Sequence, residues 1–154
     1  LRSLDGMLEA LEESVRKEGK PFLGICVGMQ LLAEKGLEYG EHKGLGWLGG
    51  KVVPKKKKKK SLKIPHMGWN KLEFPLKKSE HPLVKNVREE DHFYFVHSFM
   101  FESKYNNDII AFTDYGGRVA AIAGRDNIAG VQFHPEKSQK AGLEMIKDFL
   151  NWNP

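Results

Sequence analysis

One stretch constrains this chain more than any other: Pro21-Phe22-Leu23-Gly24-Ile25-Cys26-Val27-Gly28-Met29-Gln30-Leu31-Leu32. An apolar run is followed by a glycine-bracketed cysteine and then by residues with helical spacing. That order specifies a short buried strand, a sharp turn and a helix, with Cys26 at the turn. The first N–H groups of a helix have no internal partner and carry partial positive charge, so a thiol placed there is expected to ionise more easily, and the thiolate is the nucleophile. Gly24 and Gly28 suit a tight strand-to-helix turn. The G-x-C-x-G layout is that of a nucleophile elbow with cysteine in place of serine.

The elements on either side of the elbow point to an α/β sheet with helices on both faces. Leu4, Leu8, Leu11 and Val15 recur at helical spacing, with Ser3 or Asp5 as cap and Gly19 as stop. Val27 to Lys35 reads as the helix after Cys26, stopped by Gly36. The middle of the chain is strand-rich. His92 to Phe101 alternates as one strand, with Phe93, Phe95, His97, Phe99 and Phe101 on one face. Ile109 to Thr113 and Val119 to Ala123 flank a turn at Asp114-Tyr115-Gly116-Gly117, which predicts a hairpin. Ile128 to Phe133 is a last strand, and Ser138 to Leu150 a closing helix with Leu143, Ile146 and Leu150 on one stripe.

Composition narrows the classes of function. Six of the lysines form one run, Lys55 to Lys60; without them the net charge of +5 becomes −1, so the chain is not uniformly basic. The run lies between two expected strands and has no interleaved aromatic residues for base stacking, so it reads as an exposed connection and not as a nucleic-acid surface. No apolar stretch approaches the ~20 residues of a membrane helix. Cys26 is the only cysteine, which excludes an internal disulfide framework and fits a reducing, cytoplasmic setting. The histidines lack the spacing of a metal set, and no cofactor is called for.

The strand at 128–133 delivers His134-Pro135-Glu136. A histidine at a strand end, with a carboxylate two residues on, can serve as a base whose orientation the carboxylate fixes, and a thiol nucleophile needs such a base. Pro135 stiffens the turn between them.

Gly24-Ile25-Cys26-Val27-Gly28 together with a distant His134-Pro135-Glu136 resembles the class I (triad-type) glutamine amidotransferases. Within that family the blocks Lys20 to Gln30, Ile64-Pro65-His66-Met67-Gly68-Trp69-Asn70, Tyr94-Phe95-Val96-His97-Ser98 and Gly130 to Ser138 are most similar to the glutaminase subunits of imidazole glycerol phosphate synthase. The resemblance implies a flavodoxin-like α/β domain over 1–154, with a mixed, mostly parallel sheet flanked by helices. It also implies that the family's opening strands and its P-G-x-G oxyanion loop would lie upstream of the first helix, so the domain reads as N-terminally incomplete.

The resemblance implies hydrolysis of L-glutamine to glutamate through a thioester on Cys26, with His134 and Glu136 completing a triad and the Val27 N–H donating to the oxyanion. Gly28, Gln30, His97, Ser98 and Phe99 would bind the substrate. Met67, Trp69 and Lys137 would lie at the ammonia passage, against a TIM-barrel cyclase subunit in a heterodimer that makes imidazole glycerol phosphate and aminoimidazole carboxamide ribotide. Two alternatives share the motifs: a paralogous subunit supplying ammonia for surface-sugar amidination, and a catalytically inert interaction fragment.

Overall fold

The computed structural model describes residues 3–55, 62–75 and 80–154. Its elements in chain order are α1 (Met7–Leu11), which continues as a π-helix over Glu12–Lys17, β1 (Phe22–Ile25), α2 (Val27–Leu31), β2 (Lys35–Gly36), β3 (His42–Lys43), β4 (Gly50–Pro54), β5 (His66–Lys71), β6 (His92–His97), β7 (Phe99–Ser103), β8 (Ile109–Asp114), β9 (Arg118–Arg125), β10 (Ile128–Val131) and α3 (Gln139–Leu150).

The main sheet has the order β1-β10-β9-β8, a second has β3-β2-β4-β7, and β5 pairs with β6 alone. The expected mixed α/β architecture is present, but the strands lean toward antiparallel. Among the described residues only β1/β10 and β2/β4 are parallel. The other pairings are antiparallel. The second half of the chain connects its strands by short turns, and a short turn can only join antiparallel neighbours. The expected hairpin is one of these: Asp114 pairs with Arg118, and Gly116 (φ 70°) and Gly117 (φ 135°) take the turn.

Two apolar cores lie on the two faces of the main sheet. On one face Met29 and Leu32 of the α2 segment pack with Val15, Val52, Phe101, Ala120, Ala123 and Ile128. On the other, Met145 of α3 packs with Phe93, Phe95, Ile122, Val131, Phe133 and Trp152. Gly130 lets α2 approach β10, since a Cβ there would stand 2.6 Å from Met29 Cγ.

Several elements depart from the sequence reading. α1 starts at Gly6 with no side-chain cap, not at Ser3 or Asp5. α2 ends at Leu31, not at Lys35, because the following loop captures its last carbonyls: Leu45, Leu48 and Gly46 donate to Leu31, Leu32 and Ala33. The run 92–101 is two strands. It breaks at Ser98, where β6 leaves to pair with β5 and β7 with β4, so Phe95 and Phe101 enter different cores. β1 is half-buried, because among the described residues it pairs only with β10.

The closing helix buries Gly142, Met145 and Asp148, while Leu143 (60% exposed) and Leu150 (76%) face outward. A contact at Gly142 fixes that rotation, as a Cβ there would lie 1.9 Å from the Pro135 carbonyl oxygen. The lysine run lies outside the described residues except for Lys55, which is buried and not exposed. Among the described residues its Nζ has no hydrogen-bond partner, and it stands 4.4 Å from the centre of the Tyr115 ring. Burial pulls its amine down to about 8, against the opposing charge of Asp114.

Candidate active site

Parallel pairing brings the two motifs together. β1 and β10 are neighbours in register, with Ile25 opposite Val131, and the Cys26 N–H donates to the Val131 carbonyl at 2.8 Å. Cys26 and His134 therefore leave the same edge of the sheet, one and three residues beyond that pair.

Cys26 adopts φ 51° and ψ −106°, a conformation rare for a side-chain-bearing residue. Gly24 makes the elbow possible: a Cβ there would stand 2.5 Å from Gly28 C and O. Gly28 itself has open space around the same position and no positive φ, so it is the backbone approached, not the glycine that approaches. The sulfur lies 4.0 Å from the Val96 carbonyl and 3.8 Å from Gln132 Nε2, which donates to it.

Burial raises the thiol above its ordinary value, opposed by the Val27 N–H; Glu136 raises it further, while Gln132 and Lys137 lower it. The expected easier ionisation is thus reversed. α2 has only five residues, and desolvation of the charged form outweighs its N-terminal N–H groups.

His134 is held at both ends. Its N–H donates to the Tyr94 carbonyl at 2.9 Å, and its carbonyl accepts from Ser138 Oγ at 2.6 Å. Ser138 Oγ in turn accepts from the Tyr94 N–H. The imidazole Nδ1 lies 2.6 Å from Glu136 Oε1. The short 3₁₀ turn Pro135–Lys137 sets the carboxylate on the imidazole, and α3 is packed against that turn.

Gln30 Nε2 donates to the Phe99 carbonyl (3.2 Å) and to Gln132 Oε1 (3.1 Å). His97 Nδ1 reaches the same Phe99 carbonyl at 2.7 Å, and the Ser98 carbonyl accepts from the Lys55 N–H. Beside α2 opens a cleft lined by Val27, Gln30, Gly36, Glu38, Tyr39 and Val52. Glu38, which the sequence shows only as one acidic residue in a loop, lines this cleft together with His42 and Lys43. Gln132 reads in the sequence as an ordinary member of the block before His134.

Met67 (61% exposed) and Trp69 (47%) point outward from β5, and Trp69 stacks edge-on against Tyr94 at 5.7 Å between centroids. Tyr94 holds the His134 backbone, so Trp69 packs one residue away from His134, and the charge of Lys137 reaches the Cys26 sulfur. Among the described residues no group of three His, Cys, Asp or Glu side chains could hold a metal ion.

An elbow cysteine just past β1 and a His-Pro-Glu turn just past its parallel neighbour β10, on a mixed sheet with helices on both faces, point to the class, and the comparisons agree. The family model for glutamine amidotransferase class-I matches residues 2–152, and the chain belongs to that family. Among curated relatives, imidazole glycerol phosphate synthase subunit HisH of Zymomonas mobilis is 51% identical over all of this chain and 70% of its own length. The HisH subunit of Rhodospirillum rubrum is likewise 51% identical, with 71% of its length covered. A solved glutamine amidotransferase superposes with a TM-score of 0.64 at 18% identity, covering 95% of this chain and 67% of that one, which shows the shared fold.

Proposed function

We propose that this chain is the glutaminase subunit of imidazole glycerol phosphate synthase in histidine biosynthesis, acting through Cys26, His134 and Glu136. The observation that carries the reading is the identity of about half of all residues, over the whole chain, with HisH subunits.

The chemistry follows from the side chains. Because burial holds the Cys26 thiol above its ordinary value, a base is needed. His134 Nε2 takes the thiol proton while Nδ1 donates to Glu136, which stabilises the resulting imidazolium. The sulfur attacks the side-chain carbon of glutamine. The Val27 N–H, already directed at the sulfur, donates to the oxyanion of the tetrahedral adduct. His134 returns its proton to the leaving nitrogen, the C–N bond breaks, and ammonia departs from a glutamyl thioester. Water, losing a proton to His134, then cleaves the C–S bond, giving glutamate and restoring the thiol. Gln30, Ser98 and Phe99 hold the substrate, with Gly28 and His97 shaping their backbone, and the Glu38 carboxylate faces the substrate ammonium in the cleft. Ammonia leaves past Met67, Gly68 and Trp69 toward a TIM-barrel cyclase subunit, which Lys137 helps to dock, as a cytoplasmic heterodimer.

The test is glutamate release from glutamine by the chain, alone and with the histidine-pathway cyclase and its ribonucleotide ligand, with Cys26→Ala as blank. Strong stimulation by the liganded partner is expected. Cys26-dependent turnover that ignores this partner would overturn the pathway assignment, and no Cys26-dependent turnover under either condition would overturn the glutaminase reading.

A further inference from the structure

Gln132 is fully buried, lies two residues before His134, and both ends of its amide are engaged. Its backbone N–H is taken by the Ala121 carbonyl, so the main chain is fixed and the side chain alone chooses its partners. Which end of that amide meets the sulfur is decided some distance away. The Phe99 carbonyl can only accept, so Gln30 must present Nε2 to it, and His97 must present a protonated Nδ1. With both hydrogens of Gln30 Nε2 directed at oxygens, the group it meets on Gln132 is Oε1. The remaining end of Gln132, its NH2, then faces Cys26. On the other side, His97 with its proton on Nδ1 has an accepting Nε2, and His66 Nδ1 lies 3.1 Å from it and donates. The polarity of the whole line, from His66 through His97, the Phe99 carbonyl, Gln30 and Gln132 to the thiol, is set by that one carbonyl.

We propose that Gln132 is a further catalytic residue of this centre, donating a side-chain N–H to the Cys26 sulfur, with Gln30, His97 and His66 as the positioning residues that fix the direction of its amide. The inference rests on the reading of Cys26 as the nucleophile. A donor 3.8 Å from the sulfur favours the thiolate over the thiol, and it acts where charge develops as the proton moves to His134. Because Gln132 also accepts from Gln30, the nucleophile and the side chain that holds the substrate are set by one buried amide. His66 stands at the start of β5, the strand that carries Met67 and Trp69. It is clamped between the Phe95 and Tyr115 rings, at 4.8 and 3.9 Å, so the far end of the line is anchored in packed side chains.

The experiment is the pH dependence of iodoacetamide alkylation of Cys26, read by mass on the full chain as wild type, Gln132→Met and Gln132→Glu. Glu136 and Lys137, the charged groups that act on the sulfur, are retained in all three. Loss of the donor is expected to raise the midpoint by about one pH unit in Gln132→Met, and the added carboxylate to raise it more in Gln132→Glu. A folded Gln132→Met with an unshifted midpoint overturns the proposal. A second measurement needs no stable variant: in wild type the Gln132 side-chain NH2 resonances should titrate with the Cys26 midpoint and lose that step after alkylation. Resonances indifferent to the thiol overturn the proposal equally. Neither readout uses glutamine, so an enzyme inactive toward glutamine would fail the proposed function without deciding this one.

Discussion

Cys26 carries a positive φ without being glycine, and a backbone of that kind costs about 1–3 kcal/mol unless its surroundings enforce it. Gly24 is what permits it. Gly24→Ala would place a Cβ 2.5 Å from the Gly28 carbonyl group. The expected result is about 1–3 kcal/mol of lost stability from overpacking, measured by urea midpoint, together with a large loss of Cys26 reactivity as the elbow shifts. Glu38 belongs to the same scale. Glu38 lines the cleft with Gln30; if it meets the substrate ammonium as proposed, Glu38→Gln should raise KM for glutamine about tenfold with a smaller effect on kcat, measured by steady-state glutamate release. Neither the inverted direction of the thiol shift nor the part played by Gln132 was legible in the sequence. Both depend on how deeply the sulfur is buried and on which groups reach it from β6 and β10.

At the scale of elements, the site is held by strand ends and by α3. Gly142→Ala would put a Cβ 1.9 Å from the Pro135 carbonyl oxygen, so α3 must move off the His134-Pro135-Glu136 turn. Loss of both stability and glutaminase activity is expected, and repacking with a compensating cavity elsewhere should restore neither. The β5–β6 pair supplies a pH dependence. Burial first, then their mutual proximity and Lys55, holds His66 down to about 3, while burial leads the shift of His97 to about 4. Both lie below the ordinary 6.5, so on acidification the unfolded chain takes up these protons first. Their contribution to stability is therefore full above about pH 6.5 and is lost as pH falls toward 4 and then 3, at up to about 1.4 kcal/mol per pH unit for each imidazole. Urea midpoints across that window should fall with pH, and His97→Gln should flatten the fall.

For the whole molecule, the exposed Met67 and Trp69 lie on the outer face of β5, beside the Tyr94 contact that holds His134. If this face carries the proposed docking surface, Trp69→Ala should weaken association with the cyclase subunit by tenfold or more, measured by calorimetric titration. A variant that binds unchanged would place the docking surface elsewhere. The chain spans about 70% of the length of the curated relatives it matches, so these measurements compare most directly with the corresponding part of those subunits.

The sequence by itself determined the local rules: a strand, elbow and helix at 22–31, a glycine hairpin at 114–117, a last strand shortly before His134-Pro135-Glu136, and the placing of Cys26 at the elbow. These are written in nearest-neighbour spacing, where periodicity and glycine or proline placement suffice. Tertiary structure alone decided what depends on contacts between distant segments. It ended α2 early, because loop 44–48 supplied donors to its carbonyls. It split 92–101 at Ser98, because the two halves had different strands to pair with, though the alternation ran on unbroken. It turned α3 so that Gly142 and not Leu143 faces inward, because only a residue without a Cβ fits against Pro135. It also assembled the line from His66 to Cys26 out of residues more than a hundred positions apart, because hydrogen-bond direction is settled by which acceptor each donor meets in the folded interior.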